Sequence, residues 1–356
     1  EEIFVTLQRF FKIMKMNWIK KWRYLVPVII CVLGIIAIGY YYFVGCFSKL
    51  DTTGYVYIDD NDNLDSVFVK LEPIASDHGL MAFKMMSRHG GYCDNIRTGR
   101  YAISPDQSTI RVFRNLKNGH QEPVRLTIPE CRTMDRLAGF LSKKLMMDSV
   151  AVSILFSDSS FCAQQGYDTA TIACLFIPNT YEVYWNISIE NLMKRMKKEN
   201  ENFWNTQRNI KAESLGLTKE QVCTIASIID EETANNAEKP MIAGMYINRL
   251  NAGMPLQADP TIKFALKDFA LKRIYHNMLQ FNSPYNTYKN TGLPPGPIKI
   301  ASVAGIDAVL NRTAHDYLYM CAKEDFSGTH NFAKTYQEHL KNAAKYSKAL
   351  NERGIK

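Results

Sequence analysis

The stretch LVPVIICVLGIIAIGYYYFVGCFS, residues 25–48, carries no charge and is rich in Ile, Val and Leu. A helix needs about 20 predominantly apolar residues to cross the hydrocarbon core of a bilayer, so this stretch is long enough to span a membrane. Aromatic residues typical of membrane interfaces stand at both of its ends, namely Trp18, Trp22, Tyr24 and residues 40–42. The sequence therefore predicts one transmembrane helix over residues 25–48.

The charges on the two sides of this stretch predict its orientation. Before it stand the basic residues Arg9, Lys12, Lys15, Lys20, Lys21 and Arg23, whereas after Lys49 come Asp51, Asp59, Asp60, Asp62 and Asp65. Lys and Arg are enriched on the cytoplasmic side of spanning helices. We therefore expect residues 1–24 to form a cytoplasmic N-terminus. The rest of the chain is then extracytoplasmic (periplasmic), held by a single pass through the cytoplasmic (inner) membrane.

Cleavage of this segment is the alternative to a retained anchor. A signal peptide would be removed, and FVGC at 43–46 loosely resembles a lipoprotein cleavage site that would leave a lipidated Cys46. The apolar run is longer than a typical signal-peptide core, and the basic region before it is unusually long. Both features favour a retained helix.

Composition excludes several classes of function. Residues 1–24 contribute much of the formal charge of +8, so the exported part is only mildly basic and offers no dense basic patch for nucleic acid. The eight cysteines are scattered without a C-x-x-C or His/Cys cluster, which predicts no metal site. Cys162 and Cys174 are compatible with a disulfide in an oxidising compartment and equally with two buried thiols.

Strand and helix patterns alternate along the exported chain, which predicts an α+β fold. GYVYI (54–58) and GRYAI (99–103) are typical of strands, and they enclose two helical patterns over 63–89 that break near Pro73 and His78-Gly79. Further on, the patterns predict helices over 107–117, 132–147 and 194–208, a strand over 123–128, and an aromatic strand or loop over 175–185. A small β-α-α-β module over 49–120 and a larger mixed domain over 121–356 are expected.

The clearest helix start in the chain is TKEQ at 218–221. Thr218 as N-cap and Gln221 three residues later form a capping box ahead of an apolar series. At 100° per residue, Glu232 falls on the edge of the apolar stripe, between Ile225 and Ile228. Glu231 falls on the opposite face, which we expect to be solvated, and Asp230 lies on the far border.

The position of Glu232 predicts a perturbed carboxyl group. A carboxyl that is packed against Ile side chains loses hydration in its charged form, so its pKa rises. A glutamic acid that stays protonated near neutral pH can donate its proton to a leaving oxygen. The alternative is a structural role, in which Glu232 caps another group, pairs with Lys239 or Arg249, or only lies at a frayed helix end.

Downstream motifs extend this pattern into a longer signature. ASIIDEET (226–233) is followed in order by INRL (247–250), LQADPT (256–261), SPYNTY (283–288), GLPPGPI (292–298) and HNF (330–332). Polar turns that carry amide, hydroxyl and aromatic groups suit a cleft for a sugar polymer. Taken together, the motifs strongly resemble the MltG/YceG-like family of endolytic murein transglycosylases over roughly residues 120–350. The residues before them resemble that family's LysM-like module.

The resemblance implies a function and a catalytic residue. It implies lytic cleavage of the β-1,4 bond between N-acetylmuramic acid and N-acetylglucosamine in peptidoglycan strands, leaving 1,6-anhydromuramyl ends without a cofactor. The second acid of the family pattern A-S-I-[VI]-E-x-E-T is catalytic and corresponds to Glu232, while the first corresponds to Asp230. Expected partners are the glycan strands, the membrane and cell-wall synthases.

Seven further residues are candidates for the site. Gln257, Asp259, Tyr285, Asn286 and Thr287 are candidates for holding the glycan and polarising its acetamido group, and His330 and Asn248 are weaker candidates. Each of them is also of a type that satisfies a loop backbone, as Asp does before Pro260.

Three other functions compete with this prediction. The first is a non-catalytic peptidoglycan-binding scaffold, against which the presence of Glu232 argues. The second is a cytosolic lyase that uses pyridoxal phosphate, which the membrane anchor and the absence of a recognisable cofactor lysine exclude. The third is a hydrolase that uses Asp259 together with Glu232, since hydrolases need a second carboxylate.

Overall fold

The computed structural model describes Trp22 and residues 25–271 and 273–353. The predicted cytoplasmic N-terminus comprises residues 1–24. Apart from Trp22, these residues lie outside the described part of the chain. Helix α1 covers Leu25–Val44, is long and apolar enough to cross a membrane, and has its side chains exposed. It ends in a π-helical turn over Tyr40–Val44.

The predicted span of 25–48 is therefore four residues too long at its end. Phe47 is buried in the folded unit that follows α1, and the residues on either side of it make isolated β-bridges to Ser108 and Ala75. These contacts pull the chain out of the helix after Val44, so the last residues of the apolar run belong to a folded domain.

The first compact unit runs to Val124 and also takes in Tyr184–Asn186. After α1 its elements are β1 (Gly54–Ile58), α2 (Leu64–Leu71), α3 (Asp77–His89), β2 (Gly99–Ile103) and α4 (Thr109–Asn118). β1 and β2 pair antiparallel, with Gly54 opposite Ile103 and Ile58 opposite Gly99. Their inward side chains pack with those of the helices into one core. The predicted β-α-α-β order is confirmed.

The break between α2 and α3 is placed correctly at Pro73 and wrongly at His78-Gly79. Ser76 caps α3 by accepting a hydrogen bond from the Gly79 amide, so both residues lie in the first helical turn. A Cβ at Gly79 would meet the Phe47 carbonyl oxygen at 3.0 Å. The glycine is therefore required by the close approach of the chain that leaves α1, rather than by a turn.

The second compact unit comprises Arg125–Val183 and the chain from Ile187 onward. Its elements are β3 (Val124–Thr127), α5 (Met134–Lys144), α6 (Ser149–Ser157), α7 (Ser159–Gln165), β4 (Thr180–Val183), α8 (Ile189–Phe203), α9 (Thr206–Ser214), α10 (Lys219–Glu232), α11 (Lys239–Asn251), α12 (Asp259–Leu266), α13 (Val303–Leu310), β5 (Tyr319–Ala322), β6 (His330–Ala333) and α14 (Tyr336–Glu352). β3 lies beside β4, and β5 pairs antiparallel with β6. The α+β class is confirmed.

One predicted helix is wrong in detail. The single helix expected over 194–208 is two helices, because the Asn205 side chain caps α9 and the Trp204 ring is buried at the junction. The sequence pattern also missed α6. Among the described residues, all eight cysteines are free thiols, and Cys162 and Cys174 are both buried.

Helix α10 lies at the centre of the second unit. The predicted capping box is present, with reciprocal hydrogen bonds between Thr218 and Gln221. Every residue from Val222 to Ile229 is buried, because α11, α12 and α13 all contact α10. The prediction of a single apolar stripe is therefore wrong for the middle of the helix. Its C-terminal end carries Glu232 to the edge of this core.

Candidate active site

Glu232, the last residue of α10, lines a cavity of about 220 Å³. The other lining residues, which together with Glu232 define the Glu232 cavity, are Met245, Tyr246, Arg249, Leu256, Gln257, Asp259, Tyr288, Met320, Cys321, Ala322 and His330. The lining comes from α10, α11, the loop before α12, α12 itself, the loop between α12 and α13, β5 and β6. Side chains that are far apart in sequence therefore converge on one carboxyl group.

The carboxyl group of Glu232 has a raised pKa of about 7. Burial is the largest cause, because it removes water from the charged form, and the negative charge of Asp259 adds to the increase. The Tyr246 hydroxyl donates a hydrogen bond of 2.9 Å to Glu232 Oε1 and acts in the opposite direction, as do the charges of Lys263 and Arg249. Such a group is present in both protonation states near neutral pH, which general acid–base chemistry requires.

The structural pairings considered for Glu232 are not present. Lys239 donates to Asp230 at 2.7 Å instead. Arg249 donates through Nε to the Leu318 carbonyl at 2.6 Å and through Nη1 to the Leu256 carbonyl at 2.7 Å. Arg249 therefore ties the loop before α12 to the chain that enters β5, and it leaves the Glu232 carboxyl to Tyr246.

Gln257 and Asp259 both line the Glu232 cavity. Gln257 has φ of 51°, in the left-handed region, where a residue other than glycine pays on the order of 1–3 kcal/mol. The backbone amide of Gln257 donates a hydrogen bond to the Thr287 carbonyl at 3.0 Å, which fixes this loop. Asp259 starts α12 and accepts a hydrogen bond of 2.5 Å from the Tyr288 hydroxyl.

His330 is the third of the predicted residues in the cavity lining. Its Nδ1 lies 3.0 Å from Glu238 Oε2, and its backbone amide donates to Glu238 Oε1 at 2.6 Å. The glutamate thereby fixes both the ring and the backbone of His330 at the edge of β6.

The structure places the other four predicted residues outside the lining of the Glu232 cavity. Asn286 donates to the Leu279 and Phe281 carbonyls, and the Thr287 hydroxyl accepts a hydrogen bond from the Ala258 amide. Asn248 donates to the His315 and Tyr317 carbonyls. Asn286, Thr287 and Asn248 therefore hold loops around the cavity.

Tyr285 lines a different cavity, of about 220 Å³, together with Arg132 and Lys299. Its ring packs against Phe264 at a centroid distance of 4.7 Å. The SPYNTY motif thus contributes to the Glu232 cavity through Tyr288, its last residue, which sequence reasoning passed over.

Tyr246 and Arg249 were also missed as members of the site. Their signal was present in the sequence, because Arg249 belongs to INRL and Tyr246 directly precedes it, and the two are three residues apart, so they share a face of α11. The sequence did not indicate that this face of α11 contacts Glu232 at the end of α10.

The prediction that Glu231 is an ordinary solvated acid is wrong. Arg132 forms an ion pair with the Glu231 carboxylate, with Nη2 donating to Oε2 at 2.6 Å. Lys299 Nζ lies 3.5 Å from Oε1. These two cations lower the pKa of Glu231 against the opposing effect of burial. The consecutive acids Glu231 and Glu232 therefore have opposite environments, one held ionised and one held close to neutrality.

Asp230, the first acid of the motif, has a structural position. Its side chain is 2% exposed, and it accepts hydrogen bonds from the Ser302 amide at 2.7 Å and the Ser302 hydroxyl at 2.8 Å, in addition to that of Lys239. Ser302 is the N-cap of α13. Asp230 thus links α10 to the starts of α11 and α13.

The described part of the chain holds no group of three or more His, Cys, Asp or Glu residues placed to bind a metal ion. The Glu232 cavity is lined by carboxyl, phenol, amide, imidazole and guanidinium groups.

Comparison with known proteins gives consistent matches. The sequence profile described as the YceG-like family matches residues 56–345. A protein of Bacillus subtilis named endolytic murein transglycosylase is 30% identical over 308 residues, which cover 81% of this chain and 82% of that protein. A protein of Streptococcus pneumoniae serotype 2 with the same name is 28% identical over 345 residues, which cover 86% of this chain and 62% of that longer protein.

A solved structure shows the same fold. The crystal structure of a YceG-like protein from Listeria monocytogenes matches with a TM-score of 0.53 and 26% sequence identity. The match covers 82% of this chain and 99% of that chain.

Proposed function

The chain belongs to the YceG-like family, and on that premise we propose that it is an endolytic peptidoglycan lytic transglycosylase anchored in the cytoplasmic membrane. Its proposed reaction cleaves the β-1,4 bond from N-acetylmuramic acid to N-acetylglucosamine and leaves a 1,6-anhydromuramyl end. The observation that carries the proposal is the carboxyl of Glu232, which faces a cavity and has a pKa of about 7.

In the first step Glu232 acts as a general acid. Its protonated carboxyl donates the proton to the glycosidic oxygen as the bond from the muramyl C1 breaks, and the N-acetylglucosamine chain leaves with a free hydroxyl. The pKa of about 7 keeps a large fraction of the group protonated at neutral pH. An ordinary glutamic acid would be almost fully ionised there.

In the second step the same residue acts as a base. The C6 hydroxyl of the muramyl sugar attacks C1, and the Glu232 carboxylate removes the proton from that hydroxyl. The new C6–O–C1 bridge replaces the bond that was broken, and the enzyme returns to its protonated form without water. Because the nucleophile belongs to the substrate, its effective concentration is high and a second carboxylate is not needed as a base.

The other cavity residues hold the sugar and the acid. Tyr246 orients the Glu232 carboxyl through its hydrogen bond of 2.9 Å. Gln257 and Asp259 bring amide and carboxylate groups to the same cavity, where they are candidates for binding sugar hydroxyls and polarising the acetamido group. His330 joins them, whereas Tyr285, Asn286, Thr287 and Asn248 act through the loops that they support.

The remaining assignments are part of the same proposal. We place residues 1–24 in the cytoplasm, the anchor across the membrane, and the folded chain in the extracytoplasmic (periplasmic) space. Residues 49–120 form a LysM-like module and residues 121–356 the catalytic domain. Glycan strands are the substrate, and cell-wall synthases that produce them are the expected protein partners.

Product analysis tests the proposed reaction. With purified glycan strands in ¹⁸O-labelled water, we expect 1,6-anhydro ends that carry no labelled oxygen, because the C6 oxygen closes the ring. Mass spectrometry of the muramic acid termini measures this. Reducing ends that carry ¹⁸O would show hydrolysis, and no cleavage would favour the binding scaffold.

An Asp259→Asn variant is the matched control for the product. If Asp259 binds sugar, the variant cleaves more slowly and still gives unlabelled anhydro ends. A water-activating Asp259 would instead give labelled ends in the wild type, and the variant would lose them.

The pH profile is a second prediction. The cleavage rate should fall as the pH rises through about 7, because the proton donor is lost there. Tyr246→Phe removes the hydrogen bond that lowers this pKa, so its alkaline limb should move to higher pH. Initial rates between pH 5 and 9 measure the alkaline limb of the wild type and of the variant. An unchanged alkaline limb in Tyr246→Phe would show that the hydroxyl does not alter the pKa of Glu232.

Reporter fusions test the topology. A reporter that is active only outside the cytoplasm, fused after Lys356, should be active in the full chain. A cytoplasm-specific reporter at the same position should be silent. The opposite result would place the Glu232 cavity in the cytoplasm, away from peptidoglycan. A separate test is incorporation of labelled lipid: label on Cys46 would show a lipid anchor in place of the spanning helix.

A further inference from the structure

An apolar cavity of about 270 Å³ lies in the first unit, between the end of α1 and one face of α3. We call it the α1/α3 cavity. Its lining residues are Ile38, Gly39, Tyr42, Phe43, Met81, Ala82 and Met85. We infer that acyl chains from the outer leaflet of the cytoplasmic membrane occupy this cavity, so that α3 lies in the surface of the bilayer. This inference rests on the proposed membrane anchoring by α1.

The depth of the cavity follows from the length of α1. Twenty residues over Leu25–Val44 rise about 30 Å at 1.5 Å per residue, which equals the thickness of a bilayer's hydrocarbon core. Residues 38–43 therefore occupy the last ~10 Å of the span. Met81 and Met85 line the same cavity, so they lie at the same depth, near the boundary between acyl chains and headgroups.

Direct contacts hold the start of α3 against the end of α1 and the residues that follow it. Phe47 follows α1 by three residues and is fully buried, and its carbonyl accepts a hydrogen bond of 2.7 Å from the Ser76 amide at the start of α3. The Tyr41 ring stacks on His78 at a centroid distance of 4.3 Å. These contacts fix α3 against the end of the anchor, so the depth of one sets the depth of the other.

The exposed face of α3 has two methionines in its middle, preceded by Asp77 at the start of the helix. Met81 and Met85 are 62% and 49% exposed and stand one turn apart, and Arg88 continues the same stripe at its C-terminal end. Unbranched methionine side chains adapt to an irregular apolar surface, and an arginine can extend its charged group to the lipid phosphates.

Lipid is the occupant favoured over a protein because the cavity continues the exposed surface of the anchor. Ile35, Ile36 and Ile38 of α1 are each at least 60% exposed and would face acyl chains along the same span. A groove open to that surface is filled by the solvent that surrounds α1, which in a bilayer is lipid.

Photocrosslinking of the full chain tests this inference. Benzoylphenylalanine is placed at Met81 or Met85, and the protein is reconstituted in vesicles of phosphatidylethanolamine and phosphatidylglycerol with alkyne-tagged acyl chains. Val69 of α2 is the matched control, because it belongs to the same unit, is 66% exposed, and lies outside the cavity lining. We expect several-fold more lipid adduct at Met81 and Met85 than at Val69.

Flotation of the same vesicles separates the two proposals. A chain that does not float with the vesicles would overturn the membrane anchor itself. A chain that floats, but gives equal lipid adduct at all three positions or none, would overturn the lipid contact of α3 alone. Crosslinked protein dimers at Met81 and Met85 in place of lipid adducts would also overturn it, in favour of a second copy of the chain.

Discussion

Glu232→Gln is expected to lower the rate of glycan cleavage by about 10²–10⁴-fold, the usual contribution of general acid–base catalysis. Glutamine keeps the shape of the side chain and can still accept the hydrogen bond from Tyr246, but it cannot donate or remove the transferred proton. Rates of release of glycan fragments from purified strands measure the effect. A variant that retains near-wild-type rates would remove Glu232 from the proposed mechanism.

The same substitution should make the folded chain more stable at alkaline pH. The pKa of Glu232 is about 7 in the folded chain against an ordinary value of 4.5. A raised carboxyl pKa gives stability that is present below the unfolded value and is lost as the pH rises through the folded value. Glutamine does not ionise, so the variant should gain about 1–3 kcal/mol at pH 8.5 and almost nothing at pH 4.

Glu231→Gln is the matched control, because it makes the same chemical change one residue earlier. Arg132 and Lys299 lose their ionised partner, so the free energy of unfolding should fall by about 1–2 kcal/mol, a value reduced by the partial exposure of the Arg132 side chain. Cleavage per folded molecule should stay close to wild type. Loss of catalysis in both variants would show that Glu232 is not distinguished by its environment.

The largest loss of stability is expected from Asp230→Ala. The Asp230 and Lys239 side chains are 2% and 7% exposed, and their ion pair measures 2.7 Å. Removing one partner leaves a buried ammonium group without its counter-charge, which typically costs 3–5 kcal/mol. The N-cap Ser302 also loses its acceptor. Thermal unfolding of the full chain in detergent measures the loss.

A double-mutant cycle identifies the source of that loss. Lys239→Met removes the unpaired charge, so the Asp230→Ala/Lys239→Met double variant should be more stable than the sum of the two single losses predicts. Simple additivity would mean that the Ser302 contacts, rather than the ion pair, account for the effect of Asp230. A well-folded Asp230→Ala variant with wild-type stability would contradict the structural role altogether.

Local sequence was sufficient where neighbours along the chain supply the interaction. The capping box of α10 joins two residues that are three positions apart, and β1 and β2 are recognisable from their own alternation. The segment of α1 is apolar enough to be identified by composition alone. Its end was overestimated because the burial of Phe47 depends on packing against residues that the chain reaches only later.

The sequence by itself determined the apolar segment of α1, the α+β class and the position of Glu232 at the edge of the α10 core, because each depends on periodicity, capping or a contiguous motif. Only the tertiary structure decided what the groups around Glu232 do. Helical spacing places Glu231 opposite the apolar stripe of α10, but Arg132 reaches it from 99 residues away and makes it an ion-pair partner. In the same way, Tyr288 and Asp259 are 29 residues apart and meet in one cavity. A carboxyl pKa depends on the whole surrounding shell of charge and water, and that shell exists only in the folded chain.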